Sequence, residues 1–217
     1  MKKIILSLIT AVLLTACGND PEDNTKIYST FATLDAVAPQ GCSLTVISPE
    51  DGSSYNMSAI QSINSNLFTA GTRVYITYST PNNVGYYNGA CTLYSMTNTE
   101  GGGQPVKSAT AAETDQWASA ELNLNALART GKFINVVATA PINSSDYQLE
   151  MYLDSETASD DYPQLHLVLV NNGASLQNLT MVGSWSIAEI LDSPTCKGVK
   201  VFFNDPNSGS FTIDKTY

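Results

Sequence analysis

The stretch TRVYITYS, residues 72–79, alternates polar and apolar side chains and decides the fold class of the first half of the chain. Successive side chains of a β-strand point to opposite faces of the sheet, so strict alternation predicts a strand with one buried face. Val74, Ile76 and Tyr78 are expected to point into a core. The alternate positions are expected to face outward: Arg73, Tyr75 and Thr77.

Similar short runs surround this strand between residues 28 and 96. They are rich in β-branched and aromatic residues and alternate with turn signals, and Pro49-Glu50-Asp51-Gly52 predicts a hairpin turn. Five such strands suit a small closed Greek-key barrel of the OB type, because closure removes exposed sheet edges. The sequence predicts this barrel over residues 28–97. The flanking runs are YSTFATLDAV, CSLTVISPEDGSSYNM and GACTLYSM.

The second half of the chain predicts a separate β domain. Residues 98–112 include Gly101-Gly102-Gly103 and Pro105 and lack apolar periodicity, which predicts a linker. Beyond it, strands with one apolar face and polar turns favour an antiparallel β-sandwich over residues 113–217, with Trp185 filling its core. The predicted strands are 132–139, 147–154, 164–171, 182–190, 197–204 and 210–213. The whole chain is therefore expected to be all-β.

The N-terminus has the features of an export signal. Lys2 and Lys3 precede an apolar run that is too short to span a bilayer, which predicts a signal peptide over residues 1–16. Leu14-Thr15-Ala16-Cys17 is similar to the bacterial lipobox, so we expect acyl chains on Cys17 that anchor the protein durably. The alternative is an ordinary cleaved signal with an incidental cysteine. The polar residues that follow, up to residue 27, predict a disordered tether.

The acidic run behind Cys17 bears on location. It is similar to the export signal of Bacteroidetes surface lipoproteins, which implies a bacterial outer-membrane location and exposure at the cell surface. The alternative is a solvated linker without sorting content. Asp and Glu total 20 against 10 Lys and Arg, giving a formal net charge of -10. Because nucleic-acid affinity depends on Lys and Arg contacts to phosphates, we expect no nucleic-acid partner.

Three further cysteines follow Cys17 in an exported chain, where disulfides can persist. Strand alternation places Cys42 and Cys91 on the same face as neighbouring leucines, so both are expected to point into one core. They form either a disulfide or two buried free thiols. Cys196 is expected to be free and buried.

The sequence offers little catalytic chemistry, and we expect no enzyme, no cofactor and no metal site. The only histidine, His166, is predicted to lie on the outer side of its sheet without the positioned partners that catalysis requires. The run 183–187 lacks the second glycine of a nucleophile elbow. Asp160-Asp161 and Glu50-Asp51 lie in turn-like segments and are interpreted as solvated charges.

Binding is the better prospect, and tyrosines are the candidates. Tyr75 and Tyr94 are predicted to point outward, with Tyr86 and Tyr87 in the loop between their strands. Tyrosine can stack on a sugar or a peptide side chain while it donates a hydrogen bond. The alternative is that these rings pack against the second domain or cover the barrel.

The order of these parts resembles the NigD-like lipoproteins of Bacteroidetes. The resemblance covers the lipobox, the barrel runs with FTAGTRVYITYS, and the later runs ELNLNAL, YQLEMYLD, QLHLVLV and VGSWSIAEI. It implies an N-terminal OB domain, a C-terminal β-sandwich domain and a cell-envelope location, and it implies no catalytic residues.

The sequence thus predicts a lipid-anchored envelope protein that is a non-catalytic binding or assembly module. Its expected partners are the membrane, through the N-terminal lipid, and a glycan, a peptide or another envelope protein. The alternatives are a fimbrillin-like adhesin or pilus subunit, and a glycan hydrolase that uses loop carboxylates.

Overall fold

The computed structural model describes residues 25–61, 63–64, 66–110, 113, 120–142, 147–171, 177–204 and 209–216, and this part of the chain is almost entirely β. The all-β prediction is confirmed. The chain divides into two compact units, Met1–Asn98 and Thr99–Tyr217. The predicted signal peptide, Cys17 and the predicted tether up to residue 24 lie outside the described residues.

The first unit is one six-stranded sheet in the order β5-β3-β2-β1-β4-β6. β1 lies between β2 and β4 and is antiparallel to both, and β3 pairs in parallel with β5. The predicted turn at Pro49 joins β2 to β3, where Ser48 N–H donates to the Ser53 carbonyl. The strands are β1 (Tyr28–Ala38), β2 (Gly41–Ile47), β3 (Ser54–Ala59), β4 (Arg73–Ser79), β5 (Gly89–Ala90) and β6 (Thr92–Asn98).

The predicted closed barrel is corrected in one respect. The sheet does not close into a barrel through a continuous ladder of backbone hydrogen bonds. The pairing of β3 with β5 covers only two residues on each strand, Met57–Ser58 with Gly89–Ala90. The two end strands, β5 and β6, are nevertheless consecutive and are separated only by Cys91, whose N–H donates to the Ser58 carbonyl. The chain itself therefore joins the two ends of the sheet.

The inward side of this sheet forms the first core. Val74, Ile76 and Tyr78 are buried, as the alternation in residues 72–79 predicts. Arg73 departs from the prediction, since its side chain is 0% exposed and its Nη1 donates to Thr33 Oγ1 at 3.1 Å. Burial lowers the pKa of Arg73 to about 9.

The second unit is a sandwich of two sheets, with strand orders β14-β13-β11-β10-β7 and β12-β9-β8. The predicted antiparallel arrangement is corrected, because β7 runs parallel to β10 and β13 runs parallel to β11. Its strands are β7 (Lys107–Ala109), β8 (Asn123–Thr130), β9 (Phe133–Ile142), β10 (Tyr147–Asp154), β11 (Gln164–Asn171), β12 (Gln177–Ser186), β13 (Gly198–Phe203) and β14 (Ser210–Asp214). A short helix, Ala188–Leu191, follows β12.

The sandwich core is filled from both sheets. Val136 on β9 and Trp185 on β12 meet Leu149 on β10 and Leu167 on β11 in one buried cluster. Trp185 is 2% exposed, in agreement with its predicted role in the core. Burial of this apolar surface is the main term that stabilises the unit.

Most of the run predicted as a linker, residues 98–112, belongs to the second unit: Asn98 ends β6 of the first unit, and residues 99–110 belong to the second. Gly103 N–H donates to the Ser184 carbonyl at 2.8 Å, and Val106 N–H donates to the Ser186 carbonyl at 3.1 Å. These bonds lay the run beside β12, and β7 then pairs with β10. Backbone pairing needs no apolar periodicity, which explains why the sequence pattern did not predict it.

Candidate functional site

The four candidate tyrosines do not form one face. Tyr75 is half-buried and packs edge-on against Phe31, with ring centroids 4.9 Å apart. Burial raises its pKa. Tyr94 is 54% exposed, and its hydroxyl lies 3.2 Å from Ser79 Oγ. Where β4 pairs with β6, Tyr75 lies near one end of the pairing and Ser79 lies at the other. Because the Tyr94 hydroxyl lies beside Ser79, Tyr75 and Tyr94 are separated along the sheet.

Tyr86 and Tyr87 lie in the loop of residues 80–88, between β4 and β5. The Tyr86 ring stacks on Tyr55 at 5.4 Å and packs on the first core. Its buried hydroxyl has no hydrogen-bond partner among the described residues, and burial, followed by the nearby charge of Glu50, raises its pKa. Tyr87 is half-buried with its ring against Gly89. Tyr86 thus packs on the first core, and Tyr87 lies against Gly89 at the start of β5.

Two core tyrosines hold the same loop. The Tyr28 hydroxyl donates to the Asn83 carbonyl, and the Tyr78 hydroxyl donates to the Gly85 carbonyl. The Thr80 hydroxyl donates to the Val84 carbonyl at 2.7 Å. Hydrogen bonds from groups anchored in the core restrict a loop's conformations, so residues 80–88 are presented in a defined shape.

A second surface, which sequence reasoning missed, lies on the outer side of β1, β2 and β3. Thr45 Oγ1 lies 2.8 Å from Asp35 Oδ2 and 3.2 Å from Asn56 Oδ1. Ser43 and Ser58 form the neighbouring cross-strand pair. We call these five residues the polar face. The signal was present in the sequence, since the alternation that buries Cys42, Leu44 and Val46 turns Ser43 and Thr45 outward.

The polar face offers hydroxyl, amide and carboxylate groups and contains no Lys or Arg. Such groups both donate and accept hydrogen bonds, which suits a ligand that carries hydroxyls. It lacks the cations that would hold a phosphate backbone. Asn56 and Ser58 are exposed, and Asp35 is exposed beside them.

Cys42, Cys91 and Cys196 are free and buried in the structure. The disulfide expected as one alternative for Cys42 and Cys91 is not formed. Cys42 pairs with Ala59 across β2 and β3, and Cys91 lies on the opposite side of β3, so one strand separates the two cysteines. Burial raises the pKa of both thiols, that of Cys91 to about 11.

The remaining sequence candidates lie apart from one another. His166 is half-buried, stacks on Phe202 at 5.4 Å, and has a pKa lowered by burial. Asp161 pairs with Lys197, and Asp51 accepts from Ser53 N–H at 3.0 Å. Within the described ranges, no three His, Cys, Asp or Glu side chains are grouped so as to hold a metal ion. No helix among those residues is long and apolar enough to cross a bilayer.

Comparison with solved structures gives the fold. A protein of unknown function from Bacteroides vulgatus aligns with TM-score 0.65 and 16% identity over 88% of this chain and 90% of that one. A NigD-like immunity protein from Bacteroides caccae aligns with TM-score 0.56 and 15% identity over 85% and 90%. This chain has the NigD-like fold.

A candidate lipoprotein from Bacteroides fragilis has the same fold, with TM-score 0.55 and 10% identity over 88% of this chain and 96% of that one. The resemblance predicted from the sequence is therefore confirmed as a likeness of fold to NigD-like proteins. None of these three neighbours is described as an enzyme. No protein-family model matches the chain, and no curated protein matches it as a relative.

Proposed function

We propose that this protein is a lipid-anchored protein of the bacterial outer membrane, displayed at the cell surface, that binds a glycan without catalysis. The observation that carries the proposal is the polar face, on which Thr45 hydrogen-bonds to Asp35 and Asn56. Paired hydroxyl, amide and carboxylate groups on a rigid sheet can engage the adjacent hydroxyls of a sugar. Sites on strands hold their geometry better than sites on loops.

The anchor rests on the lipobox at Leu14-Thr15-Ala16-Cys17. A candidate lipoprotein of Bacteroides fragilis has the same fold, which supports a lipid anchor on this chain. Two or more acyl chains hold a protein on a membrane durably, whereas one holds it only marginally. A tethered binding domain gains effective concentration for ligands on the same surface, which suits weak individual contacts.

The binding proposal is tested with wild-type protein on an array of bacterial and host glycans. Replacing Asp35 and Asn56 together by alanine should lower the affinity for any glycan retained by about tenfold or more, since the lost hydrogen bonds include one acceptor that is charged. Gln148→Ala is the matched control, because Gln148 is an exposed amide on β10 of the second unit. The control should bind like wild type.

If the variant with Asp35→Ala and Asn56→Ala binds glycans as tightly as wild type, the polar face is not the binding site. Retention of peptides or envelope proteins in the same format, with no glycan retained, would assign the module to a different partner class.

A further inference from the structure

We propose that the polar face binds glycans that carry an amide-linked acyl group, and that a groove beside it holds the acyl chain. The inference rests on the proposed glycan binding and names the class of glycan. The groove has a volume of about 320 Å³ and lies where β1 and β3 end and β2 begins. We call it the end groove. Its lining includes Ala36, Ala38, Gly41, Ser43, Ser58 and Ile60.

The end groove is continuous with the polar face, because Ser43 and Ser58 belong to both. Ser43 pairs with Ala36 on β1 and with Ser58 on β3, and residues directly opposite each other in an antiparallel ladder point to the same side. Thr45 lies two residues along β2 from Ser43, so the two share a face at a spacing of about 7 Å. One ligand can therefore contact the polar face and the groove together.

The outward positions of β3 change from polar to apolar toward the groove. Asn56, Ser58 and Ile60 are exposed, whereas Met57 and Ala59 between them are buried. An amide, a hydroxyl and an apolar side chain thus follow one another on the same side. The Ser58 hydroxyl both donates and accepts hydrogen bonds, which suits the N–H and C=O of an amide. This order matches the hydroxyls, the amide and the acyl chain of an N-acylated amino sugar.

The charge of the groove favours an uncharged occupant. Among the described residues that line it, none is charged, and the neighbouring polar face carries the carboxylate of Asp35. A phosphate or carboxylate would meet no cation here and would be repelled by Asp35. Ile60 is 86% exposed, the highest value among the large apolar side chains of the described residues. A ligand that removes this side chain from water gains hydrophobic stabilisation.

Gly41 keeps part of the groove free of side chains. A Cβ at this position would lie 2.3 Å from the Ala59 carbonyl oxygen, so any side chain here would collide with the backbone of β3. Ala36 and Ala38 add only methyl groups to the lining. The groove therefore offers a shallow apolar surface along which a short chain of methylenes can lie.

The experiment uses the full chain and an array on which each amino-sugar glycan is printed in N-acetyl, N-butyryl and N-hexanoyl forms. The same glycan with a hydroxyl in place of the amide is the reference. For wild type we expect the affinity to rise about two- to fourfold with each added methylene, since full burial of one methylene corresponds to about fourfold.

Ile60→Ser tests the position of the acyl chain. This variant should lose at least half of the rise, on a logarithmic scale, and should bind the hydroxyl forms like wild type. Leu67→Ser is the matched control, because Leu67 is an apolar residue that is 61% exposed and does not line the groove. The control should keep the full rise. Both positions are exposed, so both variants should fold, which thermal unfolding verifies.

Two results would overturn the inference and leave glycan binding intact. They are equal affinity of wild type for all three N-acyl forms, and the same rise with chain length in Ile60→Ser as in wild type. Retention of no glycan in any form would overturn the proposed function, and with it the inference. The hydroxyl forms are read separately from the N-acyl forms, so the two failures are distinguishable.

Discussion

Gly101 shows how a single residue can decide the packing of the second unit. Its φ is +71°, and a Cβ at this position would lie 2.2 Å from Trp185 Nε1. The buried indole therefore packs directly on backbone. A side chain here must displace either the tryptophan or the run beside β12, and the left-handed conformation adds strain.

Gly101→Ala is expected to lower the free energy of unfolding by about 2–4 kcal/mol, from overpacking and strain together. Gly102→Ala is the matched control, since Gly102 has φ +55° and a Cβ added there would meet no described atom within 4 Å. The control should lose only about 1 kcal/mol. Denaturant unfolding of both variants measures their free energies of unfolding. Equal losses of stability in the two variants would mean that the contact with Trp185 does not determine the cost of a side chain at position 101.

The burial of Arg73 could not be predicted from the sequence of its strand. The alternation in residues 72–79 gives the correct orientation for Val74, Ile76 and Tyr78, because a strand pattern encodes which side chains share a face. It does not encode what covers the other face. Phe31, Arg73 and half-buried Tyr75 all lie on that second face, and the first two are fully buried. Exposure of outward residues therefore could not be predicted from one strand.

Among the elements, the run from Thr99 to Ala109 differs most from expectation. Its glycines and lack of periodicity predict a linker, yet its amides pair with β12 and its last residues form β7. Other elements were predictable where one face is apolar, as in β10 and β11, whose leucines alternate through the sandwich core. For the polar face, the sequence alternation predicts which side chains point outward. It does not predict their hydrogen bonds, because these depend on the cross-strand register.

This pairing predicts slow hydrogen exchange within the run. The amides of Glu100, Gly103 and Val106 donate to carbonyls of β12 and should be protected like the amides of β12 itself. Amide-resolved exchange in native buffer is the measurement. Exchange of all three at the rate of an unstructured peptide would show that the run is a linker after all.

At the scale of the whole molecule, two all-β units follow an N-terminal stretch for which the sequence predicts an export signal and a lipobox. Fold class was predictable because strand periodicity repeats along both halves. Sheet topology was less predictable than fold class, because the parallel pairs, β7 with β10 and β11 with β13, join segments that are distant in sequence. The ligand was not predictable, because a fold hosts many functions and only the site restricts them.

The proposed function requires that Cys17 attach this protein to a membrane. The most direct measurement is the distribution of the full chain between membrane and soluble fractions, compared with that of Cys17→Ala. We expect wild type in the membrane fraction and the variant in the soluble fraction, because the acyl chains on Cys17 provide the attachment. Wild type in the soluble fraction, or a variant that stays with the membrane, would contradict the account.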